Sequence, residues 1–357
     1  MKRLVTLAIL ILAACGVLYY SSNKLDEAQG MTGNNTLNLY NWGDYIDPEL
    51  ITAFEEETGY VVSYETFDSN EAMYTKVNQG GTAYDLAIPS EYMIERMIEE
   101  DMLIELDHSK IQGLEHLDPD LLDMAFDPEN RYSIPYFWGT LGIVYNTKFI
   151  EEGTIEHWDD LWDPRFKNNV MLIDGAREIM GLGLNSLGYS VNSKNDAELA
   201  EAAEKLDSLT GNVKAVVADE IKMYMIQEES SVAVTFSGEV ADMMWENENL
   251  SYVIPPEGSN LWFDNFVIPN TAQNVEAAYA FINFMLEPEN AAQNAEYVGY
   301  STPNTSALEL MPAEIIEDEQ FYPSDKTMEQ LEVYENLGQE YIGIYNDYFL
   351  KFKMHRN

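Results

Sequence analysis

The chain has 357 residues, of which 46% are hydrophobic, so it can bury a large core and is long enough for two lobes. Its 63 acidic residues outnumber 19 basic residues and give a formal net charge of −44 at pH 7, without the like-charge blocks that mark disordered tails. Such a surface repels nucleic acid and anionic lipid, which excludes functions that depend on binding either of them. It attracts cations over long distances, but an acidic surface also serves solubility, so charge alone does not assign a ligand.

The N-terminus has the pattern of an export signal, with a basic start at Lys2 and Arg3 and an apolar run over residues 4–14. We assign residues 1–20 to a signal and anchor segment, which should not be folded into the domain. Residues 21–35 are polar and are predicted to form a flexible tether.

The end of the signal carries a candidate lipid anchor. Leu12-Ala13-Ala14-Cys15-Gly16 resembles the bacterial lipobox, in which the cysteine is cut free and lipidated. Cys15 is also the only cysteine, which excludes an intramolecular disulfide. We therefore expect Cys15 to hold the protein by lipid on the extracellular face of the cell membrane. The alternative is that residues 5–20 stay uncleaved as a membrane anchor.

The first part of the exported chain predicts a βαβαβ unit. Extended patterns cover residues 36–42, 60–66 and 84–90, and helix starts at Asp47-Pro48 and at Ser69 lie between them. Such crossovers build parallel sheets, in which ligands bind beyond the carboxyl ends of the strands.

Aromatic and acidic side chains occupy the ends of two of these strands. Asn41-Trp42-Gly43-Asp44-Tyr45 follows the first strand and Ser90-Glu91-Tyr92 follows the third. Gly43-Asp44 is also typical of a turn, so Asp44 fits a ligand role and a turn role equally well.

A second α/β set follows a long apolar run over residues 133–146, which is too irregular for a helix and predicts a strand that crosses between two lobes. The predicted strands of this set cover residues 170–173, 214–217, 232–236 and 251–255, and helices are expected from Arg177 and from the N-cap Asn195, the second ending at Gly211. Trp158 and Trp162 fit a packed helix cap better than a ligand site.

Residues 261–268 are predicted to cross back between the lobes as an extended segment. Because side chains alternate in a strand, Trp262 and Asp264 share one face while Leu261 and Phe263 face the other way. A ring face beside a carboxylate is the arrangement that an organic ammonium requires. The alternative is an ordinary strand with a core tryptophan and an exposed aspartate.

The closing helices complete two lobes built from discontinuous segments. A helix over residues 274–286 is expected to stop at Pro288, and a final helical run carries aromatic side chains from Tyr341 to Phe352 that we expect to pack. The predicted lobes comprise residues 36–138 with 263–308, and residues 139–262 with 309–357. Two lobes joined by crossing strands form a cleft with a hinge.

No catalytic or metal-binding motif is recognisable in the sequence. His108, His116, His157 and His355 are scattered without ligand spacing, and the H-E-x-x-H, G-x-x-x-x-G-K-[ST] and G-x-S-x-G patterns do not occur. Ser237 lies at a strand end without a base nearby in the sequence. We therefore expect a protein that is not an enzyme and needs no metal or cofactor.

Six motifs are distributed along the exported chain, and the match to which they belong runs from about Thr36 to the C-terminus. They are Asn41-Trp42-Gly43-Asp44-Tyr45, Ser69-Asn70-Glu71-Ala72-Met73-Tyr74, Tyr84-Asp85-Leu86-Ala87-Ile88-Pro89-Ser90, Ser133-Ile134-Pro135-Tyr136-Phe137-Trp138-Gly139, Gly175-Ala176-Arg177-Glu178 and Gly299-Tyr300-Ser301-Thr302-Pro303-Asn304. Together they resemble the extracytoplasmic spermidine/putrescine-binding proteins of polyamine ABC importers. The resemblance implies a two-lobed α/β periplasmic-binding-protein fold, type II-like, with two doubly wound lobes and a polyamine in the cleft between them. It also implies permease and ATPase subunits as partners, and we expect a monomer.

The resemblance also implies a set of ligand-binding residues. They are Trp42, Gly43, Tyr45, Ser90, Tyr92, Glu178, Phe236, Trp262, Asp264, Tyr300 and Tyr334. Asp264 and Glu178 are expected to accept hydrogen bonds from ammonium groups, while the rings line the methylene stem.

Three positions depart from the family pattern. Gly175 stands where an acid is common, Phe236 where a tryptophan is common, and Tyr334 where a glutamine is common. Asp174 is a possible substitute for the missing carboxylate. The preference between spermidine and putrescine therefore stays open.

Other functions are alternatives to polyamine binding. A binding protein for a sugar, an amino acid, another organic cation or ferric iron belongs to the same structural class. An acidic extracellular hydrolase or a surface adhesin belongs to a different class. A hydrolase would need a nucleophile and a base that the sequence does not display, and an adhesin should lack the two α/β sets.

Overall fold

The computed structural model describes residues 35–218 and 220–355. The predicted export signal, the Cys15 anchor and the tether fall outside these residues, apart from Asn35. No helix within the described ranges is long and apolar enough to cross a membrane.

The first elements form the predicted parallel unit. They are β1 (Thr36–Trp42), α1 (Pro48–Thr58), β2 (Val61–Phe67), α2 (Asn70–Gln79), β3 (Leu86–Ala87) and α3 (Glu91–Glu99). Strand β1 pairs in parallel with β2 and with β3. Asp47 caps α1 by accepting a hydrogen bond from the Glu49 N–H, and Ser69 caps α2 through the Ala72 N–H, which satisfies donors that a helix start leaves free.

The prediction for the third strand is wrong in length. Regular pairing is confined to Leu86–Ala87. Beyond it, the Pro89 carbonyl accepts from the Asn265 N–H and Ser90 forms only an isolated antiparallel bridge with Asp264, because Ser90 is the N-cap residue of α3. Sequence analysis did not predict α3.

The middle of the chain contains the second α/β set. Its elements are β4 (Ser133–Asn146), β5 (Val170–Ile173), α4 (Ala176–Asn185), α5 (Asp196–Leu209), β6 (Val213–Val217), α6 (Glu220–Ile226), β7 (Val232–Phe236), α7 (Ser237–Glu246), β8 (Leu250–Val253) and β9 (Ser259–Val267). Helix α5 ends before Gly211, because the Thr210 N–H closes the last turn on the Asp207 carbonyl.

The C-terminal part is mainly helical. Its elements are α8 (Val275–Leu286), α9 (Pro288–Val298), α10 (Thr305–Leu308), α11 (Ala313–Ile316), α12 (Asp325–Met328), β10 (Leu331–Val333) and α13 (Gly338–His355). Helix α8 ends at Leu286, but Pro288 does not stop the helical region as predicted. It occupies the first turn of α9, where the missing N–H of proline costs no hydrogen bond.

Strands β4 and β9 join the two halves of the molecule. They pair antiparallel from Ser133 opposite Val267 to Thr140 opposite Leu261. Beyond this pairing, β4 continues between β7 and β8, both antiparallel to it, and β7 pairs in parallel with β5. The resulting strand order is β2-β1-β3-β9-β4-β7-β5-β6, with β10 beside β9 and β8 beside β4. This confirms the prediction that residues 133–146 and 261–268 cross between the lobes.

Each lobe has a hydrophobic cluster on both faces of its sheet. In the first lobe, adjacent residues of β1 divide between two clusters, Leu39 in one and Tyr40 in the other. In the second lobe, Ile143 and Val144 of β4 divide in the same way. A sheet with apolar side chains packed on both of its faces is typical of the doubly wound fold class, which is the class that was predicted. The exact lobe boundaries stay a prediction.

Candidate ligand site between the lobes

Asp264 on β9 is the centre of the candidate site. It is buried, with 6% of its surface exposed. The Tyr45 hydroxyl donates to its Oδ2 and the Ser90 hydroxyl donates to its Oδ1, each at 2.6 Å. Tyr45 follows β1 and Ser90 follows β3, so the structure brings three predicted residues together at the carboxyl ends of parallel strands.

The alternation predicted for β9 is confirmed. Trp262 packs in one cluster of the first lobe, whereas Leu261 and Phe263 pack in the cluster on the opposite face of the sheet. Trp262 and Asp264 therefore share a face, and the predicted alternative with an exposed aspartate is excluded.

The carboxyl group of Asp264 is buried without a cation. Burial raises the pKa of Asp264 to about 6, and the hydrogen bonds from Ser90 and Tyr45 offset only part of that effect. Among the described residues, no lysine or arginine acts on this carboxyl group. A buried carboxylate is costly unless a positive charge accompanies it. An ammonium group of a ligand could supply that charge.

Four aromatic rings form a connected series that begins at Tyr45, whose hydroxyl donates to this carboxyl group. The Tyr300 ring lies 5.3 Å from the Trp262 ring and 5.1 Å from the Tyr45 ring, and the Phe236 ring lies 6.1 Å from Trp262. The pairs are steeply inclined, so faces and edges alternate around the site. The indole Nε1 of Trp262 is buried without a hydrogen-bond partner among the described residues.

A second group of predicted residues lies around Glu178, in the first turn of α4. Burial raises the pKa of the Glu178 carboxyl, whereas the nearby Arg177 guanidinium lowers it. Burial also raises the pKa of Tyr92 and of Tyr334, and the charge of Glu178 adds to both shifts. The two tyrosine rings meet edge to face at 6.5 Å. By the predicted lobe boundaries, Tyr92 belongs to the first lobe and the other residues to the second, which would place this group across the predicted cleft.

Arg177 is already engaged within this group. Its guanidinium lies over the Tyr334 ring at 4.2 Å and donates to the Glu335 carbonyl at 3.0 Å and to Asn192 Oδ1 at 2.7 Å.

The turn after β1 carries the remaining predicted residues. Trp42 packs its ring against Phe67 at 4.5 Å, and its buried Nε1 has no partner among the described residues. Gly43 and Asp44 are exposed in a turn, and Asp44 has a φ of 50°. This conformation fits the turn interpretation of Asp44, while the ligand roles of Gly43 and Asp44 stay predictions.

The model of the bacterial extracellular solute-binding protein family matches residues 49–323. The chain belongs to this family. A spermidine/putrescine-binding periplasmic protein from Salmonella typhimurium is 38% identical to this solute-binding protein over 331 residues, which are 92% of this chain and 95% of that protein.

Solved structures of similar sequence have the same fold. The spermidine/putrescine ABC transporter substrate-binding protein PotD from Streptococcus pneumoniae, in complex with calcium and HEPES, is 63% identical with a TM-score of 0.83, and the match covers 90% of this chain and 100% of that chain. The TpPotD lipoprotein of Treponema pallidum is 29% identical with a TM-score of 0.81, covering 89% of this chain and 99% of that chain.

The structure does not bring Asp174 of this solute-binding protein into either group. Both oxygens of its carboxylate accept hydrogen bonds from the Lys353 ammonium at 2.7 Å. The side chain of Glu178 instead folds back over Gly175, in the space that a Cβ atom at Gly175 would occupy. The position of the Glu178 side chain therefore requires that residue 175 has no side chain.

We expect Gly175→Ala to weaken polyamine binding by about tenfold, equivalent to about 1.4 kcal/mol, because the added methyl group forces the Glu178 carboxylate out of its position. The fold should persist, since the overlapping atoms belong to the end of a flexible side chain. Calorimetric titration with spermidine and putrescine measures the effect. Asp174→Asn is the control and should leave affinity unchanged, and the opposite ranking would contradict this account of the two acids.

Sequence analysis of the solute-binding protein missed three residues that touch the site. Glu91 lies between two predicted residues, Arg177 stacks on Tyr334, and Gly238 lies directly against the Tyr300 ring. Glu91 had a recognisable signal, an acid within Ser90-Glu91-Tyr92 at a strand end. The contact at Gly238 joins residues far apart in sequence and left no local signal.

Proposed function

We propose that this solute-binding protein is the substrate-binding component of an ABC importer. It captures polyamines, spermidine or putrescine or both, at the site between its lobes and delivers them to permease and ATPase subunits in the membrane. The names of the Salmonella typhimurium and Streptococcus pneumoniae relatives, which both specify spermidine and putrescine, support this assignment.

The buried Asp264 carboxylate is the observation that carries the proposal. A polyamine is a chain of ammonium groups separated by methylenes, so its site needs separate anionic points with apolar walls between them. Asp264 supplies one such point beside Trp262 and Tyr300, and Glu178 supplies another on α4. We assign the rings to the methylene stem and the carboxylates to the ammonium groups.

The carboxylates must contribute most of the binding free energy. A cation–π contact contributes roughly 0.5–2 kcal/mol, whereas micromolar affinity requires about −8 kcal/mol. Charge-assisted hydrogen bonds strengthen when water is excluded, so the carboxylates act best once the cleft has closed around the ligand. Closure would also give the permease a bound state to recognise.

Several further assignments belong to this proposal. The protein acts without catalysis and without a cofactor. It works outside the cell as a monomer, held at the membrane by a lipid on Cys15. The TpPotD relative is a lipoprotein, which supports the anchor, and mass spectrometry of the mature N-terminus tests it.

Calorimetric titration of the purified protein with spermidine, putrescine and magnesium at physiological salt tests the polyamine proposal. We expect saturable one-to-one binding of a polyamine and no matching response to magnesium, because a shaped site distinguishes a polyamine from a compact dication. Weak, salt-sensitive responses of equal size to all three would show only the acidic surface and would overturn the proposal.

A further inference from the structure

Glu91 is a buried carboxyl group to which the proposed function assigns no role. It is fully buried, with 0% of its surface exposed, at the first position of α3. Its Oε2 accepts a hydrogen bond from the Phe263 N–H at 2.9 Å. Its Oε1 is buried without a hydrogen-bond partner among the described residues.

Glu91 lies beside the centre of the candidate site. It bonds to the residue before Asp264, and its own chain neighbour Ser90 donates to the Asp264 carboxylate. The carboxyl groups of Glu91, at the start of α3, and of Asp264, on β9, therefore lie close together. Two carboxylates that share a buried site disfavour each other's ionisation.

The charged and titratable groups around Glu91 come from three further elements. Asp264 lies on β9, Arg177 on α4, and Tyr334 follows β10, while Tyr92 is its neighbour on α3. Burial raises the pKa of Glu91 to about 8, the charge of Asp264 adds to this shift, and the Arg177 guanidinium opposes it. Arg177 is held by Asn192 and by the Glu335 carbonyl, so it offsets the burial of Glu91 only in part.

We propose that Glu91 is a third carboxyl group of the polyamine site, which carries a proton while the site is empty and releases it to solvent when an ammonium group binds beside Asp264. The inference rests on the proposed function. The bound ammonium neutralises the Asp264 charge that opposes ionisation of Glu91 and places a positive charge near it. Both effects favour the ionised form, so ligand binding and proton release are linked.

Calorimetry in buffers of different ionisation enthalpy counts the protons released. Putrescine is the suitable ligand, because its two primary amines, like a lysine ammonium of pKa about 10.4, stay protonated at about pH 7.5. At that pH Asp264 is mostly ionised already, since its pKa is about 6, so the count reports on Glu91. We expect the wild-type protein to release between about half a proton and one proton per putrescine bound.

Glu91→Gln keeps the shape of the protonated side chain and its hydrogen bond to Phe263 but cannot ionise. We expect it to abolish the release and to flatten the pH dependence of binding. Wild-type affinity should rise about tenfold between about pH 6.5 and 8.5, while that of the variant should change little. Glu99→Gln, an exposed position on the same helix, is the matched control and should behave as wild type.

Two results would overturn the inference. One is wild-type binding without proton release, and the other is a release that Glu91→Gln retains. In the second case, loss of the release in Glu178→Gln would assign the proton to Glu178 instead. Should Glu91→Gln fail to fold, the infrared carbonyl band of a protonated carboxyl group decides the question in Glu178→Gln, where it must be present without ligand and disappear at saturating putrescine. A wild-type protein that binds no polyamine would instead overturn the proposed function, and this inference with it.

Discussion

Asp264→Asn should lower polyamine affinity by about 100-fold or more, equivalent to about 3 kcal/mol, because it removes the buried charge that an ammonium group pairs with. The amide can keep the local hydrogen bonds, accepting from the Tyr45 hydroxyl and donating to the Ser90 oxygen. The variant therefore removes charge with little change in shape. Calorimetric titration with spermidine and putrescine at physiological salt measures the loss.

Trp42→Leu is the comparison for this prediction. Trp42 packs its ring against Phe67 and carries no charge, so the substitution should cost less than about tenfold in affinity, within the range of one cation–π or packing contact. Equal small losses in the two variants would contradict the dominant role of the carboxylate.

The stability of the empty protein separates lost charge from lost structure. The pKa of Asp264 is raised to about 6, above the value of about 3.9 for an unfolded aspartate. Its contribution to stability is therefore fully present below about pH 4 and is lost as the pH rises through about 6. The amide introduced by Asp264→Asn cannot ionise, so the empty variant should be more stable than wild type at about pH 7.5 by about 2–3 kcal/mol. A thermal melt without ligand measures this difference, and a destabilised variant would point to a structural role.

The crossing strands were predictable from sequence because their signals are local. The apolar run over residues 133–146 forms a single strand of the same bounds, and the alternation of residues 261–268 placed Trp262 and Asp264 on one face. The third strand was not predictable in length, because Ser90 at its predicted end is the first residue outside a helix that sequence analysis did not predict. Likewise, Pro288 can end one helix or begin another, and only packing decides between them.

The site residues were predictable where a polar or aromatic side chain also lies at a strand end or on one face of a strand. Tyr45 and Ser90 were singled out at strand ends and Asp264 by the alternation of its strand, and the structure joins the three by two hydrogen bonds. Asp174 stood next to the position of a missing acid, but nothing in the sequence indicates that Lys353 on the last helix pairs with it. Glu91 was not assigned although it lies between Ser90 and Tyr92, because the helix that it begins and the burial that this helix imposes on its carboxyl group were not predicted.

Gly238→Ala should lower polyamine affinity by about 30-fold, equivalent to about 2 kcal/mol, because overpacking at a closed contact costs about 1–3 kcal/mol. A Cβ atom at Gly238 would overlap ring carbons of Tyr300. Tyr300 packs against the core of the first lobe, whereas Gly238 is the second residue of α7, which follows β7 in the second lobe. The methyl group therefore acts as a wedge between the lobes. Titration with spermidine and putrescine measures the loss.

The Tyr300 ring cannot yield to the wedge cheaply, because it is held between Trp262 and Tyr45. Either the ring leaves these contacts or the lobes stay apart, and both outcomes open the site around Asp264 to water. Gly343→Ala on α13 is the control, since nothing lies within 4 Å of the added atom. It should leave affinity unchanged and stabilise the helix by about 0.5–1 kcal/mol. Wild-type affinity in Gly238→Ala would mean that Tyr300 and the contact between the lobes are not needed to enclose the ligand.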